Sequence, residues 1–504
     1  MTMTQAAHAV ERRDYGNWRK PRTGGLGKLN LSAVWVMFAG AFATMITLWV
    51  FSILPALVVA LVFAAALLVA VVKDRHDRSI GQNLGARAGS ASAARRGENL
   101  YRSGPLSRVE HGRFRAPGIM ARSRLSEHLD AKGRPFALLY VPATAHYTLV
   151  MRSFPDGTQG KDQPVIDQLV EDYGGFLASL GEEGDVVAAQ VVIESAPDPG
   201  TKFQERINAR LRPDAAPFAA EVLTEIRDTQ ATGSNALSAW ITVTFSARSA
   251  VDGKRRSDDA MGRDLARRVP AYLDAASLTG AGDVRGARAA ELCENVRVSY
   301  DPAAATMFDQ ARAAGQELEV SWDDVGPSAA QAEWGAYRHD SGTSVTWAMT
   351  GAPRGQVREH VLSHLLAPTA GVARKRVTLL YEPLSPAAAA TTVESDKAHA
   401  EVRASSARPS SRSRLEYRAA TQAADEEARG AGLTDFGLLV TATVTDDQEL
   451  AWAKAQVEQA AAPARVQLRP VYGSQDSAFA ATLPLGLVLG HHVSVPKALR
   501  EVGA

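Results

Sequence analysis

An uncharged run of 44 residues, from Leu29 to Val72, constrains the fold more than any other part of this 504-residue sequence. One membrane span needs about 20 apolar residues, so the run is too long for one helix and has the length of two. Pro55 lies near its middle, where it removes a backbone donor and disfavours helix at the residue before it. We therefore predict a two-helix transmembrane hairpin over residues 29–72.

The charges on either side of the run predict its orientation. Basic residues precede it, and Lys73, Arg75 and Arg78 follow it. By the positive-inside rule both ends belong in the cytoplasm, so we expect a multi-pass protein of the cell (inner) membrane with a cytoplasmic body. A single kinked span and a buried helical hairpin are the alternatives, whereas a cleaved signal peptide would have an apolar core of only about 7 to 15 residues.

Length and composition predict several packed units in a reducing compartment. The chain exceeds the roughly 250 to 300 residues at which a single core stops growing, and 46% hydrophobic with 22% charged residues is a globular composition. The net charge is only +1, although the first 135 residues are basic, so the body is acidic and we expect no direct nucleic-acid binding. Cys293 is the only cysteine, which excludes an intrachain disulfide and a Cys-based metal site.

The rest of the sequence predicts an α+β fold, because strand-like and helix-like patterns alternate. The predicted elements include a helix from Asp258 to Ala276 and strands from Phe136 to Pro142, Tyr147 to Phe154, Val186 to Glu194 and Arg376 to Glu382. We predict two α/β units of split βαβ (ferredoxin-like) type. Matching strands lie 196 residues apart from Thr148 to Ser344 and 191 apart from Val186 to Val377, which fits an internal duplication; two unrelated α+β units are the alternative. The predicted division is 1–28 basic N-terminal segment, 29–72 transmembrane hairpin, 73–134 basic juxtamembrane linker, 135–300 first unit, 301–342 connector, 343–490 second unit with a helical arm over 387–430, and 491–504 C-terminal tail.

The basic segment 73–134 is rich in Arg, Gly, Ser and Ala. Next to a bilayer it would contact anionic lipid headgroups or an acidic partner surface; a solvated linker with some β-structure is the alternative. The arm 387–430 has many charges, few large apolar residues and a break at Pro409. Such an arm typically contacts a partner or spans solvent.

Two patterns that resemble functional motifs fail on spacing. Gly24-Gly25-Leu26-Gly27-Lys28 lacks the first Gly and the Ser or Thr of a phosphate-binding loop, since Arg22 and Leu29 hold those positions. His360 and His364 lie four apart on a predicted helix, Gln356 to Leu366, and could share a metal, but no third ligand is evident. We interpret them as surface histidines.

The remaining candidates fit structural roles better than chemical ones. His491 and His492 point to opposite sides of an extended chain, and the adjacent residues Arg338-His339-Asp340-Ser341 cannot form a hydrolase triad, whose members converge from separated positions. The acidic pairs Asp323-Asp324 and Asp446-Asp447 fit turns or helix N-caps. We interpret Trp322, Trp334 and Trp347 as core residues. We therefore predict no catalytic, cofactor-binding or metal-ligating residue.

Three segments carry a family resemblance. They are Asp14 to Pro21 before the hairpin, Val377 to Ser385 before the arm, and the run Leu433 to Gly486, with Phe436-Gly437-Leu438-Leu439-Val440-Thr441, Arg469-Pro470-Val471-Tyr472-Gly473-Ser474-Gln475-Asp476 and Leu483-Pro484-Leu485-Gly486. With them the chain resembles actinobacterial, PrgI-like membrane proteins of conjugative, type IV secretion-like transfer machinery. Its soluble part is similar to the N-terminal, non-ATPase region of VirB-type traffic ATPases.

The resemblance implies a non-catalytic inner-membrane scaffold that anchors or docks a traffic ATPase made as a separate polypeptide, because the sequence stops soon after Gly486 without a motor. Its expected partners are the lipid bilayer, that cytoplasmic ATPase and other membrane subunits of a secretion apparatus, in a homo- or hetero-oligomeric assembly. The EccE component of type VII secretion systems has a similar plan and is the second assignment. A membrane-tethered enzyme with an unrecognised site is the third.

Overall fold

The fold was established from a computed structural model. The residues that the structure describes are 16, 18, 31–72, 74, 78–104, 107, 113–158, 160–197, 207, 216–230, 235–249, 253–353, 355–405 and 410–492. Three predicted features lie wholly or mostly outside them: the basic N-terminal segment 1–28, which includes Gly24 to Lys28, the break at Pro409 and the tail 491–504.

Thirteen strands of the described chain form one sheet. Every pair of neighbouring strands is antiparallel. The strands are β1 (Leu100–Arg102), β2 (Arg124–Leu129), β3 (Pro135–Val141), β4 (His146–Phe154), β5 (Val186–Pro197), β6 (Asn235–Ser246), β7 (Asp283–Gly286), β8 (Ala329–Ala332), β9 (Tyr337–His339), β10 (Gly342–Gly351), β11 (Arg374–Pro383), β12 (Thr434–Val444) and β13 (Gln467–Pro470).

Helices precede the sheet, connect its strands and follow its last strand. They are α1 (Leu31–Val50), α2 (Ile53–Val71), α3 (Ile80–Arg95), α4 (Gln163–Glu182), α5 (Pro217–Gln230), α6 (Asp258–Ala276), α7 (Ala289–Tyr300), α8 (Ala304–Ala313), α9 (Ser363–Leu366), α10 (Pro386–Ala404), α11 (Ser411–Ala428), α12 (Leu450–Ala461) and α13 (Gln475–Thr482). The chain is thus α+β, with helices packed against a wholly antiparallel sheet.

Apart from β1, which pairs with β8 at one edge of the sheet, the strands form two six-strand sets with the same arrangement. Across the sheet the order is β1-β8-β9-β10-β12-β11-β5-β6-β4-β3-β2, with β7 beside β4 and β13 beside β10. In the set β2–β7, β4 pairs with β6 on one side and with β3 and then β7 on the other. In the set β8–β13, β10 pairs in the same way with β12, β9 and β13. Each strand of one set therefore has a counterpart in the other.

The two sets join at a seam, the pairing of β5 with β11. The seam runs from Lys375 opposite Ser195 to Tyr381 opposite Ala189. The predicted fold class, which has two separate α/β units, is therefore corrected to one continuous sheet. The physical reason is that an unpaired edge strand exposes a row of backbone donors and acceptors, and each set supplies the partner for the edge of the other.

The predicted transmembrane hairpin is wrong. The uncharged run forms α1 and α2, which are separated at Phe51 and Ser52. Over the described residues, no helix combines the length and the apolar character that a membrane crossing requires. The predicted multi-pass location in the cell membrane is wrong for the same reason, because it depended on this hairpin.

Helices α1 and α2 contact each other through small side chains. Gly40 approaches Phe63 so closely that a Cβ on the glycine would lie 2.8 Å from the Phe63 Cβ. Val34 and Ala56 are buried, whereas most of the large apolar side chains of the two helices are exposed, Trp49 to 91%. The hairpin therefore packs against itself along a narrow face.

Apolar cores lie on both faces of the sheet. On the outer face, α4 and α6 cover the first set and α12 covers the second. On the inner face, one shared core contains residues of α7 and α13 together with Leu139 of β3 and Tyr337 of β9, which lie near opposite ends of the strand order. The sheet therefore curls around α7 and α13.

The centre of the inner face is polar although it is buried. Hydroxyl pairs bridge the equivalent strands of each set: Thr148 lies 3.1 Å from Thr244, and Thr346 lies 2.8 Å from Thr441. The second pair contacts α13, where Thr441 donates to Thr482, and the first lies under a C-terminal strap, residues 483–488, which is buried throughout. Because a buried backbone needs partners for its donors and acceptors, the polar side chains of the sheet serve this strap.

Gln190 of β5 holds the strap most directly. Its Nε2 donates to the carbonyls of Ala481 and Leu483, at 2.8 and 3.0 Å, and its Oε1 accepts from the Gly486 amide at 2.9 Å. Thr244 donates to the Gly486 carbonyl at 2.9 Å. The strap is thus fixed to the sheet by side chains and not by a further strand.

Candidate functional site

A cleft of about 1200 Å³ lies between the inner face of the sheet and helices α7 and α8. Its floor comes from the ends of β4, β5, β6, β7 and β11. The charged residues that line it are Arg134, Arg152, Arg285, Arg288, Arg312 and Arg374, with Glu194, Glu291, Glu294, Asp309 and Glu317. Six arginines against five carboxylates leave an excess of one positive charge. We name this site the Arg152 cleft.

Arg152 lies on the floor, with its guanidinium against two aromatic rings. Its Cζ is 4.5 Å from the centroid of the Trp240 ring and 5.6 Å from that of Phe154. Trp240 is the residue opposite Arg152 in the β4–β6 register, so the stacking follows directly from strand pairing. A cation held over an aromatic face is stabilised by about 2 kcal/mol when desolvated, which fixes the guanidinium without a carboxylate.

Arg152 makes no ion pair and no hydrogen bond with any described residue, and its Nε is buried without a partner. Burial lowers its pKa, an effect that the negative charge of Glu291 opposes. The guanidinium nevertheless stays charged, because arginine is not deprotonated in proteins. Arg152 is partly buried and no described carboxylate binds it directly, so its donors remain available to an anion from outside.

The other five arginines of the cleft have carboxylate partners within the structure. Arg285 binds Glu291 with both Nη atoms, at 2.8 and 2.5 Å. The remaining pairs are Arg312 with Glu294 at 2.6 Å, Arg134 with Asp130 at 2.8 Å, Arg288 with Glu317 at 4.0 Å, and Arg374 with Glu194. The excess positive charge of the cleft therefore belongs to Arg152.

Behind the floor lies a buried ion-pair cluster at the seam. Glu194 of β5 accepts from Arg374 and Arg376 of β11, and Arg376 also donates to the hydroxyls of Ser299 and Thr482. Burial raises the pKa of Glu194, but the two guanidiniums outweigh it and lower the pKa to about 2. This carboxylate is thus ionised and fully occupied, and it makes the floor of the cleft rigid.

The lining side chains are suited to binding. None of the described lining residues is a histidine, cysteine, lysine or tyrosine. Asn295 adds an amide whose Oδ1 is buried without a described partner. The guanidinium of Arg152 offers planar donors that match a carboxylate or a phosphate, and the side-chain amide can pair with a peptide group.

The residues Arg338-His339-Asp340-Ser341 are engaged with separate partners. His339 is 1% exposed; its Nδ1 donates to the Tyr300 carbonyl at 2.6 Å, and its Nε2 lies 2.7 Å from the Ser344 hydroxyl. Burial lowers the pKa of His339 to about 4, so the ring is neutral. Asp340 accepts from backbone amides, and Ser341 donates to Asp301. Only His339 of the four residues is buried, and their side chains do not converge on a common site.

The other predicted histidines do not converge on a metal site. The helix predicted from Gln356 to Leu366 is wrong, since only α9 is helical there and the preceding residues form turns. His360 lies 3.3 Å from Glu359, and His491 lies 3.4 Å from the buried His146. Within the described residues, no group of three or more His, Cys, Asp or Glu side chains could hold a metal ion.

The acidic pairs and the cysteine have structural roles. Asp323 pairs with Arg113 and Arg115 of the basic segment. At the turn before α12, Asp446 accepts from the Gln448 amide at 2.9 Å. Cys293 is buried in the shared core, and burial raises the pKa of its thiol to about 12. This thiol is therefore not a reactive one.

The predicted core tryptophans differ in environment. Trp347 is fully buried in the core of the second set. Trp334 stacks on Tyr472, with ring centroids 5.4 Å apart, and Trp322 donates from its Nε1 to the Ser123 hydroxyl. Trp322 and Trp334 are therefore boundary residues.

Sequence reasoning missed Arg152, Glu194 and Arg376. Each is a charged residue within a predicted strand, on the face that carries the buried hydroxyls. A charge at an inward position of a strand is costly unless it is paired or functional, and that signal was present in the sequence.

Comparison with known proteins gives one match. Residues 22–82, which contain α1 and α2, match a family model described as a domain of unknown function (DUF8461). No curated protein matches the chain. The match includes no strand of the sheet and no residue of the Arg152 cleft.

Proposed function

We propose that this chain is a non-catalytic docking scaffold of a conjugative, type IV secretion-like transfer apparatus, and that it binds a traffic ATPase made as a separate polypeptide. The observation that carries the proposal is the Arg152 cleft, a wide site with one arginine that makes no ion pair and no hydrogen bond with a described residue. A rigid cleft with an unsatisfied charge is suited to a protein partner.

Two further features support a docking role. The cleft is built on paired strands and on the seam cluster, so its charged groups are held in place before a partner arrives. In addition, the arm formed by α10 and α11 extends the connection between β11 and β12 and exposes Val402 and Leu415 to 71% and 62%. The arm therefore offers a second, separate contact surface.

The experiment is co-expression of the full chain with a P-loop traffic ATPase that lacks an N-terminal docking domain of its own. We expect a complex that survives size-exclusion chromatography, and no ATP hydrolysis by the full chain alone. ATP hydrolysis by the purified chain would overturn the scaffold role. Failure of the two proteins to co-elute, with both folded by circular dichroism, would overturn the docking role.

A further inference from the structure

We propose that the Arg152 cleft recognises a peptide segment of its partner through a single carboxylate side chain, which Arg152 receives. This inference names the chemistry of the docking contact and rests on the proposed function for the identity of the partner alone. The cleft and its charges stand independently of that identity.

The charge of the ligand follows from the balance of charges in the cleft. The lining has one arginine more than carboxylates. The excess is unchanged when the partners just behind the lining are included, since these are one further arginine, Arg376, and one further carboxylate, Asp130. A ligand with one negative charge neutralises the site, whereas a doubly charged phosphate would face the carboxylates of Glu291 and Glu294 without a second unpaired arginine among the described residues that line the cleft.

The geometry of Arg152 favours a carboxylate. Its guanidinium lies over the rings of Trp240 and Phe154, and its Nη atoms make no hydrogen bond with a described residue. A carboxylate accepts two parallel hydrogen bonds from a guanidinium fork. Arg285, beside it in the β4–β7 register, is already bound by Glu291 and therefore does not compete.

The size and the remaining lining of the cleft indicate a peptide. A volume of about 1200 Å³ exceeds the roughly 300 to 1000 Å³ of small-molecule sites. Phe154 and Leu318, which are 44% and 42% exposed, provide apolar surface at the cleft. The Asn295 amide is available for a backbone group. The fitting ligand is an acidic residue with an apolar neighbour.

The test is a titration of the full chain with two blocked peptides, Ac-Ala-Leu-Glu-Leu-Ala-NH₂ and its Gln counterpart, and with inorganic phosphate. Calorimetry should show binding of the Glu peptide at least about tenfold tighter than that of the Gln peptide or phosphate. Equal binding of the two peptides, or tighter binding of phosphate, would overturn the proposal.

Variants of the full chain locate the contact. Arg152→Met should weaken binding of the Glu peptide by about tenfold or more and leave binding of the Gln peptide unchanged. The exposed Arg263→Met should alter the binding of neither peptide. If Arg152→Met does not fold, Arg152→Lys keeps the charge but loses the planar fork, and it should weaken the Glu peptide as well. Undiminished binding by the folded variant would contradict the proposal.

The inference and the proposed function fail separately. If the chain binds the Glu peptide more tightly than the Gln peptide but the ATPase does not co-elute, the docking function is wrong and the cleft chemistry stands. If the ATPase co-elutes equally with the wild type and with Arg152→Met, the cleft inference is wrong and the docking function stands.

Discussion

Arg376 and Glu194 lie directly opposite each other across the seam, with the Arg376 Nε donating to the Glu194 Oε2 at 2.6 Å. Both side chains are 2% exposed, and Glu194 also accepts from Arg374. The ion pair therefore sits where the two strand sets meet. It connects the inner core to the sheet, because Arg376 also binds Thr482 of α13.

Glu194→Gln should lower the free energy of unfolding by about 3 to 5 kcal/mol, because it leaves two guanidiniums buried without a counter-ion. Urea denaturation of the full chain measures this change. The exposed Glu319→Gln serves as the matched control and should shift the stability by less than about 0.5 kcal/mol. A similar loss in both variants would contradict the role of the cluster.

The same carboxylate predicts a pH dependence. Its pKa falls from 4.5 to about 2 on folding, so the stabilisation from its charge is complete above pH 4.5 and is lost as the pH falls through about 2. The stability difference between the wild type and Glu194→Gln should therefore shrink from pH 4.5 downwards. A difference that stays constant to pH 2 would show that the charge of Glu194 is not the cause.

His339→Asn should reduce the acid sensitivity of the fold. The pKa of His339 is lowered to about 4 by burial, so the folded state excludes a proton that the unfolded state binds below pH 6.5, and stability is lost as the pH falls from 6.5 towards 4. The variant should be less stable at pH 7, since Tyr300 loses its donor, but its stability should change less over that window. His364 is exposed on α9, and His364→Asn is the matched control. An equal change in both variants would contradict the role of His339.

Gly486→Ala should destabilise the fold by about 2 to 4 kcal/mol. Gly486 has a φ of +60°, and a Cβ there would lie 2.2 Å from the Thr244 Oγ1. The strap cannot move aside, because Gln190 and Thr244 bind its backbone. Gly490→Ala, where a Cβ meets nothing within 4 Å, should be neutral in thermal unfolding; equal melting temperatures for the two variants would contradict a tightly packed strap.

Two glycines of α4 should respond in opposite directions. Gly175 is exposed in the helix interior, and a Cβ there would have no neighbouring atom within 4 Å, so Gly175→Ala should raise the free energy of unfolding by about 0.5 to 1 kcal/mol. At Gly181 a Cβ would lie 2.7 Å from the Leu384 carbonyl oxygen, so Gly181→Ala should lower the free energy of unfolding. Denaturation of the two variants side by side measures the contact between α4 and the start of the arm.

The strands and several helices were predictable because their apolar periodicity is local. The predicted helix from Asp258 to Ala276 has the bounds of α6, and the strand predicted from Phe136 to Pro142 differs from β3 by one residue at each end. The spacing of 196 residues between Thr148 and Ser344 connects β4 with its counterpart β10.

Features set by distant contacts were not predictable from local patterns. β1 and β2, in the segment interpreted as a basic linker, form because β8 and β3 offer edges to pair with. The seam depends on residues about 180 positions apart in the chain, such as Glu194 and Arg376. The Arg152 cleft likewise requires the β4–β6 register, which brings Trp240 under the guanidinium.

The seam joins two strand sets of one polypeptide in the way that two subunits of a dimer pair their edge strands. Separate proteins often associate by pairing the edge strands of their sheets, and such complexes depend on concentration. Here β5 and β11 belong to the same polypeptide, so the two strand sets are always present in equal number, and their orientation is fixed by the strand pairing. The two halves are consequently free to specialise: the first supplies Arg152, and the second carries the helical arm.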